Sequence, residues 1–357
     1  MSSVSAPADA TAPASNPPTP STSPTPPPSP WSKVAAAVAL LTVVISVLLI
    51  AFAWPSVRSS VHDVPIAVAG PAEAADHVTA ALEQRLPGGF AVTRVADTAA
   101  AEQLIRDREV YGAIDLSAGA PQVITASAAS TAVAQALQGL ATGLSQAQNP
   151  NAPTIPVRDI VALPADDPRG AGLAAAALPL VMGGMLAAVL LTTLLQGARR
   201  RVVGAVTFAV TGGLALAAIL QFWFGTLDGS YLANSGAIAL TIAAISLTLL
   251  GLEALLGFRG FGLGGLVMLL IGNPLSGAAT APQMLPGWSG AFGQWLPPGA
   301  GGQLLRSTAF FDGHGAAHSV TVLLIWLAVG AGLCVAGILR ARRTAPVADT
   351  ATVLAAV

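Results

Sequence analysis

Charge is what this 357-residue chain has least of. Asp, Glu, Lys and Arg make up 9% of it, against about 25% in an average soluble domain, while hydrophobic residues make up 54%. That excludes an ordinary water-soluble protein and matches a membrane protein. The 16 basic and 17 acidic side chains nearly cancel, so no global field favours nucleic acid or an acidic substrate, and no nucleic-acid partner is expected. Cysteine is nearly missing too. Cys334 stands alone inside an apolar run, which excludes an intrachain disulfide and leaves the role of a small buried hydrophobe. No GxxxxGKS/T stretch occurs to cradle a nucleotide phosphate, and no GxSxG turn presents a nucleophile. Neither an enzyme site nor a cofactor is expected, and any ATP must be hydrolysed by a partner.

What the chain does have is long apolar runs. Residues 34–54, VAAAVALLTVVISVLLIAFAW, are long enough to cross roughly 30 Å of hydrocarbon at about 1.5 Å per residue. AFA near its end resembles a signal-peptide cleavage site, but the run is long and follows a basic-poor, proline-rich tail, so it reads as a span over 33–54. The tail, residues 1–32, has no apolar face to bury and is expected to be disordered. Runs at 173–196, 202–224, 236–257, 261–272 and 319–339 bring the expected spans to six.

Between the first two runs, residues 55–172 recover charge and change pattern. PIAVAG, FAVTRV, YGAIDL, QVITAS and VRDIVAL read as strands, and the segments 72–86, 97–109 and 130–148 carry apolar residues at helical spacing, with Asp97 and Ser130 as N-caps. Alternating strands and helices predict a small α/β layer domain. Basic residues then orient the chain, because short cytoplasmic loops collect Lys and Arg. Lys33, the ARRR of 198–201, Arg259 and the RARR of 340–343 all fall on one side of a six-span plan, while the opposite connections hold little beyond Asp228 and Arg306. The predicted fold class is therefore an α-helical polytopic membrane protein with six transmembrane helices and an extracytoplasmic α/β domain inserted between helices 1 and 2. Both termini are cytoplasmic, the spans occupy 173–343 after the domain, and a short tail follows over 344–357.

Residues 273–301, NPLSGAATAPQMLPGWSGAFGQWLPPGAG, crowd glycine and proline together with almost no charge. Backbone of this kind reaches membrane depth only where protein or water surrounds it. The run before it has only about 12 apolar residues, so the helix is expected to continue through a kink at Pro274 to about residue 281. The rest is expected to form a broken, re-entrant hairpin near 273–312, with Trp288 and Trp295 at headgroup level.

The order of features here, a proline and LSG ending a span, then MLP with a tryptophan, then LPPG and LR, resembles the segment between the last two spans of the type-2 ABC exporter permeases, most closely their YhgE/Pip-like branch. One span, a large outer domain and five more spans agree with that plan over residues 34–343. The resemblance implies a permease half in the plasma membrane, in contact with membrane lipid, paired as a homodimer or as a heterodimer with a similar permease, and served by a separate ATPase subunit. It also implies a paired outer hairpin that helps to shut an export path. Two features depart from it: proline-rich coil replaces an amphipathic helix before the first span, and QGARRR is all that stands for a coupling helix. The alternative is a non-transporting cell-envelope scaffold or receptor whose outer domain binds a partner.

The residues singled out are Glu253, Asn273, Pro274, Gly277, Pro286, Pro297, Pro298 and Arg306. Glu253 is the one acid well inside the last five runs, about a turn from Arg259, where a snorkelling or ion-paired structural role competes with a functional one. Gln221 reads as an interface residue. His314 and His318 stand four apart with Asp312 nearby, but Gly313 and Gly315 disfavour the helix that a metal pair needs, and no metal site is assigned. Gly229 is expected to tolerate a side chain unless it holds a turn of positive φ.

Overall fold

The computed structural model describes residues 29–148 and 155–344. Most of the expected disordered tail and nearly all of the tail after 343 lie outside the described residues. Two compact units, Met1–Val47 and Leu48–Val357, divide within helix α1 (Trp31–Val57). The residues of α1 are apolar on every side, as a helix surrounded by lipid requires.

The second unit opens with a mixed sheet of β1 (Val64–Ala69), β2 (Phe90–Val95), β3 (Gly112–Asp115), β4 (Gln122–Thr125) and β5 (Val157–Asp159), in the order β2-β1-β3-β4-β5. Neighbours are parallel except the β3–β4 pair. Side chains alternate along β1, so Val64, Ile66 and Val68 meet helices α2 (Ala72–Arg85) and α4 (Thr131–Gln148), while Ala67 and Ala69 meet α3 (Thr98–Arg106). The two expected caps form: Asp97 Oδ1 accepts from the Ala100 amide at 2.8 Å and Ser130 Oγ from the Val133 amide at 3.3 Å.

The remainder is helical. It comprises α5 (Ala171–Leu194), α6 (Ala198–Ala218) extended by a π turn Ile219–Trp223, α7 (Tyr231–Leu256), α8 (Phe258–Leu266) extended by a π turn Val267–Gly272, α9 (Ser289–Gly293), α10 (Pro297–Phe310) and α11 (Ala317–Thr344). Among the described residues, five helices are long and apolar enough to cross a membrane: α1, α5, α6 with its π turn, α7 and α11. Helix α7 is central, with one buried cluster toward its N-terminal half and a second around Ile245, Leu249 and Leu250.

One expectation fails here. The short fifth run does not continue as a kinked helix to residue 281. It ends at Gly272, Pro274–Ser276 form a 3-10 turn, and Gly277 turns the chain at φ +67°. A proline at the start of a 3-10 turn needs no donor, and a left-handed glycine ends helical structure outright. Nine residues of α8 and six of the π turn are together too short for a crossing of roughly 30 Å.

Candidate functional site

A second helical piece from later in the sequence lies in line with this short one. Helix α8 runs antiparallel to α7, with Gly260 against Leu252 and Gly264 against Leu249. At Gly272 it abuts Pro298, and α10 continues the line: Gly301 lies against Thr241, and the Thr308 and Ala309 carbonyls lie over Gly229. One line of helix beside α7 is thus assembled from two pieces, with residues 273–296 inserted at the break.

The insert is closed on itself by backbone contact. A Cβ on Gly293 would lie 1.8 Å from the Leu275 carbonyl oxygen, far inside contact distance, so only glycine fits. Gln294 Nε2 donates to the Ser276 carbonyl at 3.1 Å, and Pro286 O accepts from Ser289 Oγ at 2.7 Å. Pro297 and Pro298, both buried, open α10, where helices leave amides without partners and proline has none to leave. Asn273 Oδ1 is buried without a hydrogen-bond partner. Trp288 and Trp295 are exposed.

Arg306 is the buried charge of the group, 7% exposed. Its Nη2 donates to the Ala278 carbonyl at 3.1 Å, and its Nε has no partner. Asn273, Pro274, Gly277, Pro297, Pro298 and Arg306 therefore gather around the break, with Pro286 on the insert. Glu253 does not join them. It lies at the other end of α7 and pairs at 3.1 Å with Arg201 instead of Arg259, while Arg201 also donates to the carbonyls of Leu195 and Thr192. That geometry ties the end of α5 and the start of α6 to α7.

The α/β layer rests on this break through residues that sequence reading missed. Arg108, at φ +63° in the turn after α3, donates Nη1 to the Gln303 carbonyl (3.1 Å) and Ser307 Oγ (2.5 Å) and Nη2 to Gln303 Oε1 (2.7 Å), with its guanidinium 5.1 Å from the Phe311 ring centre. Tyr111 donates its hydroxyl to Gln283 Oε1 at 2.9 Å. Burial lowers the pKa of Arg108 and raises that of Tyr111 from their ordinary values. Between these groups, the insert and the start of α11 opens a cleft of about 580 Å³, lined also by His62, Asp63, Gln294 and His318. Nothing in the run DREV distinguishes Arg108 from a solvated charge. Gln303 and Ser307, one turn apart on α10, were the available signal.

The histidines do not converge. His314 Nδ1 lies 2.8 Å from Asp107, and His318 sits edge-on to Trp295. No group of three metal-ligating side chains forms among the described residues. Gln221 belongs to a polar chain instead: its Oε1 accepts from Asn234 Nδ2 at 3.1 Å, and Asn234 Oδ1 accepts from Thr308 at 2.8 Å. Gly229 holds φ +73° under the carbonyls of Thr308 and Ala309, so it is the constrained turn and not the tolerant one. In the sheet, burial alone would raise the Asp115 carboxyl, but hydrogen bonds from Ser117, Thr98 and Gln122 hold it down at about 2.

Compared with protein-family models, curated proteins and solved structures, the chain matches none.

Proposed function

We propose that the chain is the permease-like membrane subunit of an export system, moving an apolar or amphipathic cargo with ATP hydrolysed by a separate partner. The observation that carries this reading is the two-piece line of α8 and α10 beside α7, whose break is packed in protein and roofed by the α/β layer. Irregular backbone at membrane depth needs such packing, and transporters build sites and gates at discontinuous helices. Counting that line as one crossing makes six, with both termini cytoplasmic, the α/β layer outside and every basic loop inside. The resemblance of residues 273–311 to exporter permeases points the same way.

Ile238, Ile242, Ile245 and Leu249 are fully buried along α7, so the route lies at an interface with a second copy or a similar permease. The same filled interior, with the outer layer held down by Arg108, favours the second reading: a plasma-membrane scaffold or receptor that anchors an outer binding domain. Reconstitution in liposomes with a candidate ATPase separates the two. ATP-dependent movement of a fluorescent lipid, lost with a hydrolysis-dead ATPase, is the expected result. Intact protein that neither moves lipid nor retains the ATPase would leave the scaffold. Topology is checked in cells, where Ala118→Cys should react with an impermeant thiol reagent and Arg200→Cys should not.

A further inference from the structure

We infer that the cavity beside Arg306 is a binding site for a phosphate group. It has a volume of about 190 Å³ and lies where the β4–α4 connection, the approach to α5 and the segment Ala278–Thr280 meet. Arg306, Arg169, Ser127, Thr131 and Thr280 contribute its polar lining. Arg306 spends one of its five N–H groups, on the Ala278 carbonyl, and its Nε has no partner although the side chain is over nine-tenths buried.

The charge has no ionic partner among the described residues: no ion pair among them includes Arg306 or Arg169. The carboxylates bonded nearby are committed elsewhere: Asp159 accepts from the Ser127 amide, and Asp167 accepts from the Ala171 and Gly172 amides at the start of α5. Arg108, the half-buried guanidinium at the neighbouring cleft, has only neutral partners. A cation held out of water without a counter-charge is unfavourable, and a planar guanidinium with free donors is matched by a phosphate's oxygens.

Size narrows the ligand. The cavity admits a phosphate and little more, which excludes a nucleotide or a whole lipid. A second cavity of about 190 Å³, lined by Phe52, Leu178 and Leu285, shares Ala174 and Ala278–Thr280 with the first. The phosphate is therefore either free or carried on a lipid whose stem enters that neighbour. The assignment rests on packing and charge alone, so it stands or falls independently of transport.

The experiment uses the purified full chain. Its melting temperature is followed by tryptophan fluorescence while sodium phosphate replaces sodium chloride at fixed ionic strength, and retained phospholipid is measured as phosphorus per chain. A free-phosphate site gives a rise of a few degrees at millimolar phosphate. A headgroup site gives about one tightly retained phosphorus per chain and no further rise. Either signal should vanish in Arg306→Gln and weaken several-fold in Arg169→Gln, whose exposed side chain at the cavity leaves folding untouched and keeps the test alive if the first variant does not fold. Wild-type protein with neither signal, or signals that persist unchanged in both variants, overturns the site.

Discussion

Arg108→Met is the sharpest probe of how the α/β layer is held. Methionine keeps much of the stem that lies over Phe311 but removes three hydrogen bonds to Gln303 and Ser307. Hydrogen bonds to a charged group contribute about 1.5–3 kcal/mol each, but water in the adjoining cleft replaces part of that for Gln303 and Ser307, so a net loss of about 2–4 kcal/mol is expected. The left-handed backbone at this position is as costly for methionine as for arginine, so it cancels in the comparison. At roughly 1.4 kcal/mol per factor of ten, undocking becomes about 30- to 700-fold more frequent. Hydrogen exchange reads this directly, because the Ser60 amide donates to the Met284 carbonyl at 3.0 Å and is released when layer and insert part. A disulfide between Tyr111→Cys and Gln283→Cys should restore protection, and the native Cys334 is buried away from it. Exchange at Ser60 within threefold of wild type in Arg108→Met would refute the latch.

Three further expectations follow from the same contacts. Gly293→Ala should prevent assembly, since its Cβ would overlap the Leu275 carbonyl, whereas Gly302→Ala meets open space and should express and melt like wild type; equal behaviour would refute the closed insert. Glu253→Gln should lower stability by about 1 kcal/mol, with a double-mutant cycle to Arg201 recovering most of that, and should leave lipid movement intact; normal expression with abolished movement would make Glu253 a site and not a strut. Asp115, depressed to about 2, stabilises the fold above the ordinary carboxylate pKa and loses that contribution as pH falls through about 2, so Asp115→Asn should cost on the order of 1–2 kcal/mol at neutral pH and nothing at pH 1.5, measured by denaturant melts of the full chain.

The strands and helices of the α/β layer were legible because each is a short pattern with its own boundary signal. FAVTRV is β2 to the residue, and Asp97 and Ser130 cap the helices they precede. The long apolar helices were legible for the same reason, within a few residues at either end. The two-piece line of helix beside α7 was not. Its two halves are separated by 24 residues in sequence and joined only in space, where Gly272 meets Pro298, and no local period reports such a joint. Reading Pro274 as a kink was reasonable for an isolated helix, but the left-handed turn at Gly277 depends on Pro282 packing behind it. Arg306 was visible as a lone charge in an apolar stretch, whereas Arg108 looked like any residue of a polar turn. Its role comes entirely from where α10 places Gln303 and Ser307.

The break is a built structure, because its backbone groups are accounted for. The Asn273 amide donates to the Met268 carbonyl, the Ser276 carbonyl accepts from Gln294, and two prolines stand where α10 would otherwise leave free amides. The α/β layer is part of that closure. Ala281, fully buried, and Met284 join the cluster that contains Ile66 and Leu137, and Phe311 joins the cluster on the other face of the sheet with Ile105 and Ile124. The insert and the end of α10 are therefore core residues of the layer. A rearrangement that opened the joint between Gly272 and Pro298 would have to move Ala281 and Phe311 out of those cores or carry the layer with them. The Arg108 contacts to Gln303 and Ser307 make carrying it the less costly course. Any gate at this break would consequently move the α/β layer and α10 as one body against α7, with the Arg108 contacts carried intact inside that body.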